Sequence, residues 1–413
     1  MKFQKIAAGL LVVLLLYGTG LPAFADTTTA ADADTADSQV MEVSYGDIES
    51  IVRSSNQTIR ANEKTLDSLI SNDVAEEQWD ELTESRSQLR DVSDQLESAY
   101  NAVAGLPASP EQQGIAASLQ GSIASIAAIR GILNAQRDQL VVSEDTIDQT
   151  KLQMDAAADQ IVVAAQKLYV TFHYMDTERI QLLKQQQVLD STLKIAQLKA
   201  DLGFLTQTDL LVIQQQKNTL ADNLVVLVNQ MNTVKNNFQV LLGYSVDDGV
   251  SISAIPLPDE NFAAAMNETA DRQTAQDANW TLKEKELAKE IADDNKDSNL
   301  DSTVDDYRAA ALNYSLALNT FDVSFRQVCN DVAEKQNRLA SAQSAYDAKA
   351  KALDAVIWQN ELGVVSAIDL ENAQMDLDSA QAALDQAKIN LFSSQEQYRW
   401  ALRGVISTSS AQE

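Results

Sequence analysis

The chain of 413 residues has one cysteine, one histidine, five prolines and thirteen glycines. A single cysteine, Cys329, excludes an internal disulfide, so packing must hold the fold together. A single histidine, His173, excludes Ser-His-Asp triads and histidine-rich metal sites unless that one residue serves as both ligand and base. The scarcity of proline and glycine, with abundant Ala, Gln, Leu, Asp and Ser, indicates a mostly helical protein with little β structure.

Positive charge is also scarce, since 31 Lys and Arg stand against 60 Asp and Glu, for a net charge of -29. Such a surface repels nucleic acid phosphates and anionic lipid headgroups, so no nucleic acid partner is expected. The sequence contains no phosphate-binding loop, dinucleotide fingerprint or nucleophile elbow. We therefore expect no enzyme, no catalytic, cofactor-binding or metal-binding residues and no cofactor, and we expect protein partners or cations instead.

The clearest long apolar run lies at the start of the chain. Lys2 and Lys5 precede the apolar residues 6–17, and Ala23-Phe24-Ala25 is a small-x-small cleavage site. This arrangement is typical of a secretory signal peptide, and the apolar run is short for a membrane span. The predicted location is therefore extracytoplasmic, either in the cell envelope or secreted.

The most informative positive feature is a turn that occurs twice. Residues 202–210 are repeated at 362–370, each copy between long stretches with helical periodicity. A glycine after a periodic run suits the left-handed position that ends a helix, and Thr or Ser followed three residues later by Asp suits a capping box that starts the next one. The key positions are Gly203, Thr206 and Asp209 in the first copy and Gly363, Ser366 and Asp369 in the second.

A heptad pattern follows each turn in the same register, and Lys217 is its only charge. The first seam is Leu210, Ile213, Lys217, Leu220, Leu224, Leu227, Met231, Val234, Phe238 and Leu241; the second is Leu370, Ala373, Leu377, Ala380, Leu384, Ala387, Leu391, Ser394, Tyr398 and Ala401. A seam of this length needs a partner helix, and the runs before the turns supply one. These are Leu182, Leu189, Leu193, Ala196 and Ala200, and then Leu339, Tyr346, Ala350, Leu353 and Ile357. The sequence therefore predicts an all-α protein of elongated antiparallel coiled-coil hairpins from two internal repeats.

Breaks in the pattern divide the chain. The expected parts are a signal peptide at 1–25, a disordered acidic leader at 26–40, a first helical-hairpin repeat at 41–250, an extended connector at 251–261, a second repeat at 262–404 and a tail at 405–413. In the first repeat we expect helix from its start to about Val103, either continuous or with a break, then a break at 105–110. Helix is expected again from about Glu111 and is continuous from Ser143 to Leu202. In the second we expect helices from about Asn279 to Asp293 and from about Val304 to Leu362, with Gly404 ending the last one.

These features together resemble the TolC-like outer membrane efflux proteins. The resemblance rests on the opening Val43-Ser44-Tyr45-Gly46-Asp47-Ile48 followed by Asn56, on the two Gly-x-x-[Ser/Thr]-x-x-Asp-Leu turns, and on the Leu241-Leu242-Gly243 end of the first repeat. It implies a component of an efflux or secretion system, in which three subunits pool their hairpins into a hollow helical conduit.

The resemblance also implies partners. The glycine turns would form the tip that docks a membrane-fusion adaptor, with an inner-membrane or ABC transporter beyond it, so the six turn residues are candidate partner-docking residues. A simpler alternative is that they only build a capped turn, because capping already explains both residue types.

In one respect the chain departs from that family. Members with a membrane pore insert two β strands within each repeat, whereas the equivalent segments here are 104–114, rich in Pro and Gly, and 293–306, rich in Asp and Asn. We therefore expect an atypical member without evident membrane strands, located in an outer membrane only if the organism has one and another anchor exists. The alternative function is a structural or regulatory coiled-coil protein of the cell envelope with no conduit role.

The remaining candidate residues favour ordinary structural roles. Cys329 lies in a helical pattern and is either a buried small residue or a reactive thiol. His173 is expected to be an ordinary helical residue. The acidic run 293–306 departs from a calcium loop, because Ser298 stands where glycine is needed and Val304 where glutamate is needed, so a solvated loop is expected.

Overall fold

The computed structural model describes residues 41–71, 77–105, 110–136, 144–297 and 300–406. The predicted signal peptide and leader, residues 407–413 of the tail, residues 106–109 of the predicted break and residues 298–299 of the acidic run lie outside the described residues.

Helices dominate the described residues, which contain eleven α-helices, one 3-10 helix (Tyr45–Asp47) and two strands of three residues each. The helices are α1 (Ile48–Ser55), α2 (Gln57–Ser71), α3 (Glu77–Ala104), α4 (Pro110–Gln136), α5 (Glu144–Asp201), α6 (Gln207–Leu241), α7 (Phe262–Ala265), α8 (Glu268–Ala278), α9 (Trp280–Asp294), α10 (Asp301–Glu361) and α11 (Ala367–Leu402). The all-α prediction is confirmed.

The two strands tie the start of the first repeat to the segment after its last helix. Strand β1 (Met41–Val43) pairs in parallel with β2 (Val250–Ile252). The Tyr169 hydroxyl, on α5, donates to the Ser253 carbonyl at 2.8 Å. The predicted extended connector therefore begins with a short strand that is held against the middle of α5.

The helices that pack around the middle of α5 form the body of the protein, and the core lies there. Its residues 161–170 are all buried, whichever side of the helix they lie on. A helix segment that is buried all round requires neighbours on every side. Those neighbours are α1, α2, α4, α6, α9 and α11.

Beyond the body, the chain extends as two antiparallel hairpins, α5 with α6 and α10 with α11. All twenty seam positions predicted after the two turns are buried or half-buried. The charged seam position is explained by an ion pair across the first hairpin, in which Lys217 Nζ lies 2.5 Å from Asp190 Oδ1. The predicted partner seam is wrong at one position, Ile357, whose side chain is 39% exposed. In this turn of α10 the half-buried positions are Val356 and Asn360 instead.

The four long helices lie side by side in the order α6, α5, α11, α10. An ion pair between Lys184 Nζ and Asp378 Oδ1, 2.6 Å apart, joins the two hairpins through their inner helices. Helices α6 and α10 are therefore the two edges of the layer.

The first repeat carries an extra helical hairpin. The segment up to Val103, predicted as helix with or without a break, forms three helices, α1 to α3, and α3 then packs against α4. Asn237 on α6 donates to the Gln95 carbonyl on α3 at 3.1 Å, so this hairpin folds back along α6 and α5. In the second repeat α9 ends at Asp294 and α10 begins at Asp301.

Equivalent asparagines mark the two repeats. Asn56 Oδ1 accepts from the Thr58 amide at 3.0 Å, which caps α2, while its Nδ2 donates to the Leu241 carbonyl at 2.8 Å. Asn279 Oδ1 accepts from the Leu282 amide at 3.0 Å, and its Nδ2 donates to the Gly404 carbonyl at 3.2 Å. Each amide therefore starts one helix and holds the end of the last helix in its repeat.

Two short helices, α7 and α8, were not predicted. Helix α8 is largely polar and buries only Ala275, so its sequence carries no apolar periodicity. It packs against α10 and α11, with Ala275, Phe321, Phe325 and Tyr398 in one buried cluster. Tertiary contacts rather than local pattern therefore place this helix.

A polar network links the repeats inside the body. Asp159 on α5 accepts from the Arg53 guanidinium and, at 2.9 Å, from Trp280 Nε1 in the second repeat. The Arg403 guanidinium donates to Glu49 Oε2 at 2.8 Å, and the hydrogen bonds from Arg403 hold the pKa of Glu49 down at about 2. Charged contacts therefore join the start and end of the described chain.

Candidate functional site

The first glycine turn lies at the far end of the α5–α6 hairpin. Gly203 has a φ of 80°, and its amide donates to the Ala200 carbonyl while the Phe204 amide donates to the Lys199 carbonyl. This double hydrogen bond is a Schellman motif, which needs a left-handed residue at the glycine position. The glycine is therefore required by the backbone of the turn.

A capping box starts the helix that follows. Thr206 Oγ1 accepts from the Asp209 amide at 3.2 Å, and the Thr206 amide donates back to Asp209 Oδ2 at 3.3 Å. Two amides at the start of α6 are thereby satisfied.

The second turn repeats this geometry at the end of the α10–α11 hairpin. Gly363 has a φ of 72°, and the Val364 amide donates to the Gln359 carbonyl at 2.9 Å. Ser366 Oγ accepts from the Asp369 amide at 3.2 Å, and the Ser366 amide donates to Asp369 Oδ2 at 2.9 Å. The Ser366 hydroxyl and amide together lower the pKa of the Asp369 carboxyl.

The structure thus brings the six predicted docking residues together as two sets of three. Their polar groups are engaged in the caps of their own turns. Nothing lies within 4 Å of where a Cβ would stand on Gly203 or Gly363, so both tips face open space. Their role in docking remains a prediction.

Apolar side chains at the tips were missed by sequence reasoning. Phe204 is 79% exposed and Val364 is 72% exposed, and Leu202 and Leu362 beside them are exposed as well. Their sequence positions indicated this exposure, because they flank the turn glycines and fall outside the heptad seams. Large apolar side chains that project into solvent mark candidate interaction sites.

The walls of the layer also expose apolar side chains. On α6 these are Leu211, Val212, Val225 and Val226, and on the part of α10 beside α11 they are Val323, Ile357 and Trp358. Because α6 and α10 are the edge helices, both free edges of the layer present apolar surface.

The other sequence candidates occupy structural positions. Cys329 is buried beside Phe325 and Val332, and burial raises the pKa of its thiol to about 11, so the reactive thiolate is disfavoured. The His173 ring packs edge-on against Tyr169 with centroids 4.7 Å apart, and burial lowers the pKa of its imidazole.

The described residues contain no group of three His, Cys, Asp or Glu side chains placed to hold a metal ion. In the acidic run, α9 extends to Asp294 and α10 begins at Asp301. Asp305 Oδ1 accepts from Arg308 at 3.0 Å. The observed helices thus include both ends of the predicted loop.

Among the described residues, every helix is either too short or too polar to cross a lipid bilayer.

No family model matches the sequence, and a search of curated proteins finds no match either. Solved structures do match. The chain is similar to the CmeC outer membrane channel of Campylobacter jejuni, with 9% identity over 97% of this chain and 96% of that chain and a TM-score of 0.51. It is also similar to the outer membrane protein VceC of Vibrio cholerae, with 15% identity over 71% of this chain and 76% of that chain and a TM-score of 0.47. The likeness to CmeC spans nearly the whole of both chains and shows that this protein has the TolC-like fold.

Proposed function

We propose that the protein is an exported, non-enzymatic component of an efflux or secretion system. Three copies would form a conduit, and the glycine-turn tips would dock an adaptor that leads to a transporter. The observation that carries this proposal is the exposed apolar surface on both edges and both tips of the hairpin layer. The CmeC channel, which shares the fold, supplies the precedent for a conduit.

The edges support assembly into a closed ring. Helix α6 bounds one side of the layer and α10 the other, so the two edges are different surfaces. Contacts between unlike surfaces generate rings when the rotation closes. Each repeat, 41–250 and 262–404, would contribute one hairpin to the wall of the ring.

Assembly can be tested by making one edge polar. Changing Leu211, Val212, Val225 and Val226 on α6 to glutamine is expected to convert a trimer to a monomer, because the apolar surface that drives association is removed. Light scattering coupled to size-exclusion chromatography measures the mass. Leu257→Gln is the matched control, since Leu257 is exposed and apolar but lies in the connector rather than on the wall.

A wild-type chain that stays monomeric at high concentration would contradict the conduit. It would favour the alternative function, a structural or regulatory coiled-coil protein of the envelope.

Docking can be tested by site-specific photo-crosslinking in the native cell. A photo-reactive residue at position 204 or 364 is expected to give adducts with an adaptor protein, because both side chains project from the tips. The same residue at position 257 serves as the control. Equal adducts from all three positions, or adducts only from 257, would rule out docking through the tips.

A further inference from the structure

The first part of α10 carries large apolar side chains that face solvent. Helix α10 has 61 residues and α11 has 36, so the first part of α10 extends past the end of α11 and packs against α9 instead. There Leu312 is 71% exposed, Leu316 is 65% exposed and Val323 is 68% exposed. The proposed ring uses the part of α10 beside α11, so it does not account for this surface.

These side chains have the spacing of a coiled-coil seam. They belong to a series at intervals of three and four residues in which every position is exposed: Ala309, Leu312, Leu316, Asn319 and Val323. The opposite side of the helix is occupied, since Tyr314 lies beneath the Lys289 ammonium of α9. A 3–4 apolar repeat is the face with which a helix packs against another helix. The series, here called the α10 stripe, is therefore a coiled-coil face that lacks its partner helix among the described residues.

The two ends of the α10 stripe carry opposite charge. At its start Asp305 and Asp306 are both exposed, and Arg308 is already paired with Asp305 at 3.0 Å. At its end Arg326 is exposed and has no ion-pair partner among the described residues. The start of the stripe thus keeps the negative charge of Asp306, and the end keeps the positive charge of Arg326.

This charge pattern complements itself when two copies lie antiparallel. The acidic start of one stripe then meets the basic end of the other, twice, as in any two-fold contact made by the same surface of both copies. A parallel pair would instead place Arg326 beside Arg326 and Asp306 beside Asp306. Like charges side by side are unfavourable, so the antiparallel direction is preferred.

The antiparallel direction also fixes which residues meet. When Leu316 lies opposite Asn319 of the second copy, Leu312 lies opposite Val323. The two Asn319 residues are then about 4.5 Å apart along the axis, where one side-chain amide can donate to the other. A polar residue within an apolar seam is a known device for fixing register.

We propose that the α10 stripe is a two-fold antiparallel contact between two copies of this chain. Leu312, Leu316 and Val323 of each copy interdigitate, and Arg326 of each copy pairs with Asp306 of the other. A stable interface has about 20–30 residues on each side, so this smaller contact is weak and reversible.

The contact is separate from the proposed ring. Ile357 and Trp358 on the ring edge lie about 50 Å along α10 from Val323, at 1.5 Å for each residue. The proposal therefore does not depend on the conduit.

Disulfide trapping tests the contact and its direction. Full-length Leu312→Cys and Val323→Cys chains, mixed at high concentration and mildly oxidised, are expected to give a crosslinked dimer, because the two positions face each other. Either chain alone should give at least fivefold less dimer, since two copies of the same position are about 16 Å apart along the axis. The wild-type chain, which keeps the buried Cys329, gives the background. No dimer from the mixture, or as much dimer from one chain alone, would overturn the proposal.

The charge pair is tested by exchange in the same two cysteine chains. Arg326→Glu should lower the yield of dimer at least fivefold, and adding Asp306→Arg should restore it, because opposite charges meet again. Lys351→Glu is the control, since Lys351 is an exposed cation on α10 outside the stripe. An unchanged yield in Arg326→Glu, or no recovery on adding Asp306→Arg, would refute the pairing.

Trapping in chains that also carry the four glutamine substitutions on α6 separates the two contacts. The yield of dimer is expected to stay the same when the ring is broken. A yield that falls with the ring would show that the crosslink reports ring assembly and would overturn the proposal.

Discussion

Replacing Gly243 or Gly404 with alanine is expected to cost about 3–5 kcal/mol of unfolding free energy, through backbone strain plus a steric clash. Gly243 has a φ of 86° and Gly404 a φ of 98°, which an L side chain rarely adopts. A Cβ on Gly243 would lie less than 3.0 Å from the Ser55 carbonyl oxygen. A Cβ on Gly404 would lie less than 3.0 Å from the Ala278 carbonyl oxygen. Neither carbonyl can move easily, because each directly precedes a capping asparagine, Asn56 or Asn279.

The tip glycines supply the matched control. Gly203→Ala and Gly363→Ala carry the same left-handed strain but face open space, so about 1–2 kcal/mol is expected for each. Guanidinium denaturation followed by circular dichroism measures all four variants. Equal losses of unfolding free energy in the tip and body variants would show that the steric clash with Ser55 and Ala278 adds nothing to the cost of the substitution.

Asp159→Ala is expected to cost about 2–4 kcal/mol, because it leaves Arg53 and the Trp280 indole without their shared acceptor. The Asp159 side chain is only 9% exposed, and it joins α1 to the start of α9 across the repeat boundary. Asp159→Asn keeps an acceptor for the indole and removes the charge, so an intermediate loss is expected.

An exposed aspartate with the same kind of partner is the control for Asp159. Asp305 Oδ1 lies 3.0 Å from Arg308 Nη1, with the two side chains 69% and 70% exposed. Solvent screens this pair, so Asp305→Ala should cost less than about 1 kcal/mol. The same denaturation experiment measures both alanine variants. Similar losses of unfolding free energy would mean that the burial of Asp159 does not raise the cost of removing its carboxylate.

The sequence by itself determined the hairpins. A heptad seam, a glycine that needs a left-handed backbone and a Thr or Ser capping box are local features, and each one dictates its own helix, turn or start of helix. Both turns therefore have the predicted geometry, from Gly203 to Asp209 and from Gly363 to Asp369. The all-α class was readable for the same reason, whereas the TolC-like fold came from the resemblance to a known family.

Only the tertiary structure decided how the body closes. Helix α8 has no apolar periodicity, so its position follows from packing against α10 and α11. The fold-back of the α3–α4 hairpin and the sharing of Asp159 by Arg53 and Trp280 both join residues far apart in the chain. Sequence spacing fixes which residues share a face of one helix, whereas contacts between distant helices depend on how those faces meet.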